Sequence, residues 1–309
     1  MRAVLLDPSI DSTNEGDSII AESVLAEFPE WGTLPRVATH RLLTRVELAS
    51  VRSADVAIVL GTNILSSRQI NIRQWRLGPR EMAALHAKVV LLGVGWRRYE
   101  SLPDALSRRM LRWLLHPGKL HSVRDGYTAR RLTALGYRAV NTSCPTLWSV
   151  RDVKTPGLVA DRVVATVTDY VPNIGRDSAM LDTLARRYGR VQLWPQGDGD
   201  SRYLDRLRRP DTAEVLPRGL AALRAALDGA EYVGTRLHAG ALALQLGRPG
   251  LIVGTDNRAL EISRDTGLPV LPRQRLNELA DVLDVPRAVP LDLPMSVVES
   301  WRDQWPVRH

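Results

Sequence analysis

Thr235-Arg236-Leu237-His238 is the stretch of this chain best equipped for chemistry. It follows a short strand-like run ending at Gly234 and precedes the small residues Ala239, Gly240, Ala241 and Ala243, which read as the opening of a helix. A strand that hands over directly to a helix gathers three positive features in one place. They are the guanidinium of Arg236, the unpaired N–H groups of the first helical turn, and the positive end of the helix dipole. That combination suits a phosphate or a carboxylate. Histidine titrates near neutrality, and His238 is the best-placed general acid or base among the six histidines. A plainer alternative stays open: Arg236 pairs with a structural carboxylate and His238 merely begins the helix.

Three further stretches fall at the ends of strand-like runs, where open parallel sheets bind ligands. In Asn14-Glu15-Gly16-Asp17, Gly16 relaxes the turn and Asp17 or Ser18 is expected to cap the next helix; an ordinary N-cap explains it equally well. His121-Ser122-Val123-Arg124-Asp125 offers Arg124 to an anion, against the alternative of an Arg124–Asp125 surface turn. Thr255-Asp256-Asn257-Arg258 adds a cation, Arg258, expected to aim at the same place as Arg236. The glycines of Gly61-Thr62-Asn63 and Gly93-Val94-Gly95 mark close backbone approach, with Gly61 read as packing. Other chemistries drop out. The chain has no G-x-G-x-x-G, Walker or G-x-S-x-G motif and no H-E-x-x-H. Histidines and carboxylates do not cluster at metal spacing. The lone Cys144 excludes an intramolecular disulfide and reads as buried filler.

The elements that must position these residues alternate strand and helix throughout, which indicates parallel βαβ units. Strands are expected at 2–6, 36–39, 55–60, 88–93, 119–123 and 137–141, with helices at 17–27, 79–86, 103–115 and 126–135. Pro79 and Pro103 suit first-turn positions, and Gly136 suits a helix stop. Residues 149–161 carry no periodicity and read as a linker. The pattern resumes with strands at 162–168, 190–194, 231–234, 250–253 and 269–271 and helices at 177–188, 217–228, 238–246, 258–266 and 296–304. The expected fold class is α/β, with two Rossmann-like, doubly wound domains facing a cleft. Their bounds are 1–152 on the acceptor side and 153–285 on the donor side, with a tail, 286–309, that returns to the first domain.

The length of 309 residues suits two domains, and 44% hydrophobic against 25% charged residues suits two cores. A net charge of +8 fits an anionic substrate or membrane surface. Only Lys88, Lys119 and Lys154 among the 42 basic residues are lysine, and the arginines spread evenly without a nucleic-acid motif, so nucleic acid is not an expected partner. Asp7 interrupts the first apolar run too early for a secretory leader, and the expected location is cytoplasmic. Two mixtures of Arg, Trp and aliphatic residues, 68–76 and 108–114, allow peripheral contact with the inner face of the membrane, although amphipathic helices packed on their own sheet explain them more simply.

Taken in order, Asn14-x-Gly16-Asp17, Ser122-Val123-Arg124-Asp125, and Gly234-Thr235-Arg236-Leu237-His238 followed by Ala243 and Gly247-Arg248-Pro249 resemble the polysaccharide pyruvyl transferase family. The resemblance spans most of the chain. It implies a GT-B-like fold, phosphoenolpyruvate as donor and co-substrate, no other cofactor and no metal, and a sugar diol of a cell-surface or lipid-linked glycan as acceptor. It also implies that Arg236 and His238 are catalytic, and that Arg124, Arg258, Asn14, Asp17, Thr235, Leu237 and Ser122 bind substrate. Arg258 stands where the family often has lysine: a stronger fork and a poorer proton donor. Gly61-Thr62-Asn63 replaces a more glycine-rich turn, and Cys144-Pro145 stands where Asp-Pro is common. Two alternatives remain. One is a nucleotide-sugar glycosyltransferase of the same architecture with Glu261 on the donor ribose; the other is a non-catalytic relative that binds an anion or glycan.

Overall fold

The computed structural model describes residues 1–69, 75–152, 160–285 and 290–305. Residues 70–74 of the Arg- and Trp-rich stretch, 153–159 of the expected linker and 286–289 of the expected tail lie outside the described residues. The chain forms two compact units: Met1–Ser12, Ile20–Trp148 and Leu293–His309 in the first, Thr13–Ile19 and Ser149–Asp292 in the second. The expected division after 152 therefore moves to follow Trp148. Residues Thr13–Ile19 join the second unit because Asn14 bridges Gly197 and the Glu15 N–H donates to the Gln196 carbonyl at 2.9 Å. Asp292 also stays with it, donating to the Thr266 carbonyl at 2.9 Å.

In the first unit, β1 (Ala3–Asp7), β2 (Arg36–Ala38), β3 (Val56–Leu60) and β4 (Val89–Leu92) form a parallel sheet in the order β2-β1-β3-β4. β3 and β4 are apolar at every position because helices cover both faces of such a sheet. β5 (His121–Val123) and β6 (Ala139–Asn141) pair in parallel, and a bridge from Val94 to Val123 links β5 to the segment after β4. The helices are α1 (Glu15–Glu27), whose first turn belongs to the second unit, α2 (Arg45–Ser53), α3 (Pro79–Ala84), α4 (Ala105–Leu114), α5 (Gly126–Ala134) and α6 (Pro145–Trp148). α2 was not expected. It is held by a capping box between Thr44 and Glu47, and Arg41 hydrogen-bonded to Glu47 lowers that carboxyl to about 2. α4 starts from Asp104, whose carboxylate accepts from the Ser107 N–H at 2.7 Å, so Pro103 precedes the helix instead of opening it. Leu111 and Leu114 of α4 are buried and Arg108 and Arg112 are solvated, the pattern of an amphipathic helix on its own sheet.

The second unit carries six parallel strands: β7 (Arg162–Thr166), β8 (Arg190–Leu193), β9 (Ala213–Val215), β10 (Glu231–Gly234), β11 (Gly250–Gly254) and β12 (Val270–Pro272), ordered β12-β11-β10-β7-β8-β9. Counted within the unit, this is the Rossmann order 3-2-1-4-5-6, which reverses between β7 and β10. Its helices are α7 (Ile174–Arg187), α8 (Asp198–Leu204), α9 (Leu220–Leu227), α10 (Leu237–Gln245), α11 (Asn257–Thr266) and α12 (Leu279–Asp284). α13 (Met295–Arg302) returns to the first unit, where Trp301 and Trp305 pack with Phe28, Trp31 and Trp148, and the Trp301 indole donates to the Leu120 carbonyl at 2.8 Å. Among the described residues no helix is long and apolar enough to cross a membrane.

Candidate functional site

The reversal point of the second sheet delivers Thr235 and Arg236 from β10 and the segment ending in Tyr170 from β7. The turn is pinned by backbone. Arg236 N–H donates to Thr166 Oγ1 at 3.1 Å, and the Tyr232 hydroxyl donates to the Arg236 carbonyl at 2.7 Å. Burial pushes the Tyr232 phenol above its usual range, so it remains a donor. Arg236 occupies the N-cap of α10 and its side chain makes no capping bond, which leaves the first-turn N–H groups without that cap.

The Arg236 side chain is almost fully buried and is held by two carboxylates. Nε donates to Asp200 Oδ2 at 2.9 Å, and Nη2 reaches both Asp200 Oδ1 and Asp169 Oδ1, the latter at 3.1 Å. Burial works against the charge of Arg236, but Asp200 and Tyr170 together outweigh it and the guanidinium is raised above its usual value. Burial pushes the Asp200 carboxyl up in turn, despite Arg236 beside it. Backbone N–H groups of Asp169, Gln196 and Gly197 also converge on Asp200 at 3.1, 3.1 and 3.2 Å. One fully buried carboxylate thus joins the loops after β7 and β8 to the catalytic candidate after β10. Among the described residues, Arg236 Nη1 makes no hydrogen bond.

Tyr170 brings the two expected cations together. Its ring lies 4.7 Å from the Arg236 guanidinium and 5.1 Å from that of Arg258, whose Nη2 also reaches the phenol oxygen. The ring is 43% exposed. Arg258 is held by Asp256, which also caps α11: Nε donates to Oδ2 at 2.8 Å and the Arg258 N–H to Oδ1 at 2.9 Å. Burial lowers the charge preference of Arg258, and Asp256 and Tyr170 together more than restore it.

His238, in the first turn of α10, lies against the Asn14 turn. A Cβ at Gly16 would stand 3.1 Å from His238 Nδ1 and 2.6 Å from Gln196 Nε2, so only glycine lets the turn approach this closely. Gln196 Nε2 donates to Asn14 Oδ1 at 2.7 Å. The expectation for Asp17 is corrected: α1 begins at Glu15, Asn14 precedes it and accepts from the Gly16 N–H at 3.3 Å, and Asp17 sits buried within the first turn. Leu237 and Thr235 are buried, Thr235 with its N–H on the Thr166 carbonyl at 3.0 Å.

Arg124 and Ser122 belong to the first unit. Arg124 is 2% exposed, so the surface-turn alternative fails. Its guanidinium lies flush on Gly95, where a Cβ would stand 2.2 Å from Cζ, and Nη2 donates to Asn63 Oδ1. The two glycine turns of the sequence therefore close around Arg124. Asp125 caps α5, accepting from the Thr128 N–H at 2.7 Å. The Ser122 hydroxyl accepts from the Gly93 N–H at 2.9 Å and bonds Thr142 Oγ1 at 2.6 Å. Cys144 is buried, with its thiol pushed up by burial. Glu261, the residue expected on a donor ribose in the glycosyltransferase alternative, is 1% exposed and paired with Arg264 at 2.5 Å. Among the described residues no cluster could hold a metal ion.

A two-unit Rossmann-like chain with a cationic turn at a sheet reversal defines a GT-B-like α/β protein, and solved structures share that fold. MnaA of S. aureus, in a co-structure with UDP, has a TM-score of 0.55 at 11% identity, covering 92% of this chain and 89% of its own. UDP-GlcNAc 2-epimerase of Methanocaldococcus jannaschii, in complex with UDP-GlcNAc and UDP, has a TM-score of 0.55 at 9% identity, covering 97% and 100%. The family model for polysaccharide pyruvyl transferase matches residues 4–257, and the chain belongs to that family. None of the curated proteins matches it.

Proposed function

We propose that this family member transfers pyruvate from phosphoenolpyruvate to a sugar diol of a glycan as a ketal. The observation that carries the reading is the meeting of Arg236 and Arg258 on Tyr170, beside the start of α10. Phosphoenolpyruvate places a carboxylate and a phosphate on one small skeleton, so it calls for more than one fixed cation. In this reading the second unit is the donor side, with Arg236 Nη1 and the first-turn N–H groups of α10 facing the donor's charges. Arg258 adds the second cation of the set, and Asp169, the more exposed partner of Arg236, gives way to the donor.

The balance is simple. A proton adds to the methylene carbon, and one acceptor hydroxyl oxygen bonds to the adjacent carbon. The bond from that carbon to the phosphate oxygen breaks, and the second hydroxyl closes the ketal. Of the two hydroxyl protons, one matches the new methyl hydrogen and one leaves with phosphate. His238 supplies or relays the proton, and the arginines stabilise the departing phosphate. The test is phosphate release from phosphoenolpyruvate over a panel of glycan acceptors, beside thermal shifts with phosphoenolpyruvate and with uridine diphosphate sugars. We expect release with at least one acceptor and stabilisation by phosphoenolpyruvate. No release anywhere, together with stabilisation by a uridine diphosphate sugar, would overturn the reading.

A further inference from the structure

Away from the Arg236 turn, the second unit has an open groove of about 730 Å³ between α7 and the segment Arg273–Glu278 that precedes α12. Arg176, Thr183, Arg186 and Arg187 face it from α7, and Gln274 and Asn277 from the other wall. Their spacing on α7 follows the helical repeat and makes one continuous stripe. Two of the groove's arginines have structural duties. Arg273 is locked on Asp177, and Arg187 pairs with Asp284 at 3.3 Å. Arg176 donates to the Arg273 carbonyl at 3.2 Å and Arg186 to Thr183 Oγ1 at 3.0 Å, so neither bonds a carboxylate among the described residues. Asp182, the acidic residue on the wall, is already held by Arg208.

Arg176 and Arg186 stand ten residues apart on α7, about 15 Å along the helix. A ligand that engages both is extended, with anionic groups separated along it, rather than one small anion. Among the described residues the groove's lining contains no aromatic ring, which a single-stranded nucleic acid would need for base stacking. Its inner end joins the proposed donor loop: Arg273 Nη1 donates to the carbonyl of Val171, next to Tyr170, at 2.5 Å.

We infer that this groove binds an acidic stretch of glycan chain remote from the reacting diol, its sugar carboxylates on Arg176 and Arg186 and its hydroxyls on Gln274 and Asn277. The inference rests on the pyruvyl-transfer reading, because the ketal product adds a carboxylate to the chain that carries it.

Binding of a galacturonate hexamer to the full chain, measured by calorimetry, tests it. We expect the Arg176→Gln/Arg186→Gln variant to bind about fivefold more weakly, with a shallower salt dependence. Asn277→Glu, which puts a like charge into the groove, should weaken binding similarly. Maltohexaose, neutral and of equal length, should not compete. Unchanged affinity in both variants, or displacement of the hexamer by a single-stranded oligonucleotide at equal charge, would sink the inference. The phosphoenolpyruvate thermal shift, expected to be the same in wild type and variants, reads the donor site separately. Its absence in every protein would count against the functional reading and leave the groove result to stand or fall alone.

Discussion

Arg236 and Arg124 are both arginines at the end of a strand and just ahead of a helix, yet the two units treat them differently. Arg236 is caged by carboxylates, Asp200 and Asp169, and covered by the half-exposed ring of Tyr170. Arg124 is caged by backbone and an amide: it lies on Gly95 and bonds Asn63, with Asp125 at a longer 3.4 Å. A carboxylate cage fixes the charge and orientation of a guanidinium while leaving an exposed partner that an anion can replace. A glycine cage adds a close steric fit to such bonds. The same local sequence grammar therefore yields one guanidinium held mainly by carboxylates and one held by close backbone contact and an amide.

The largest expected effect breaks the first cage. Asp200→Ala leaves Arg236 buried without its main partner and strands the N–H groups of Asp169, Gln196 and Gly197. Loss of one partner of a buried ion pair costs about 3–5 kcal/mol, readable as a lower urea midpoint. A variant as stable as the parent would mean that Asp200 does not hold the cage together.

Next in size is a pH effect on the first unit. His121, three residues before Arg124, is fully buried on β5 as a neutral ring: Nδ1 accepts from the Leu91 N–H at 3.3 Å and Nε2 faces the His116 carbonyl at 3.2 Å. Burial lowers its pKa to about 4. Between that value and the ordinary 6.5 or so, the unfolded chain binds the extra proton. Stability is then complete above about 6.5 and falls as pH drops toward 4, by up to roughly 3 kcal/mol. His121→Gln, which keeps a donor and an acceptor, should flatten that pH slope in urea titrations; an unchanged slope would assign it to other groups.

The smallest effect sharpens the contrast between the cages. Gly95→Ala drives a methyl into the Arg124 guanidinium, and overpacking of this kind costs about 1–3 kcal/mol. Pairing it with Arg124→Ala should recover part of the loss, since Nε and Cζ of Arg124, both 2.2 Å from the added carbon, are what clash. Double-mutant analysis of the two changes measures the coupling, and simple additivity would show that the close approach carries little energy.

The alternation of strands and helices, the strand ends and the turn 235–238 were legible because each depends on neighbours a few residues apart. What escaped had weak local signals. α2 is polar on most faces and owes its start to the Thr44–Glu47 box. β9 is a three-residue edge strand with two exposed positions. α8 opens with Asp198, Gly199 and Asp200, which read locally as loop. Missing α8 meant missing Asp200, the center of the Arg236 cage, and Tyr170 left no pattern at all.

By itself, then, the sequence determined that Arg236 would stand between a strand and a helix, that His238 would follow in the first turn, and that the Gly93-Val94-Gly95 turn would admit a close neighbour. Only the tertiary structure decided what those neighbours are. Asp200 and Asp169 lie 36 and 67 residues from Arg236 along the chain, and Tyr170 unites Arg236 with Arg258 from a third loop. The reason is physical: periodicity and turn chemistry act over one or two turns of chain, whereas charge pairing and burial act through space, between loops that meet only after the sheet has set their order.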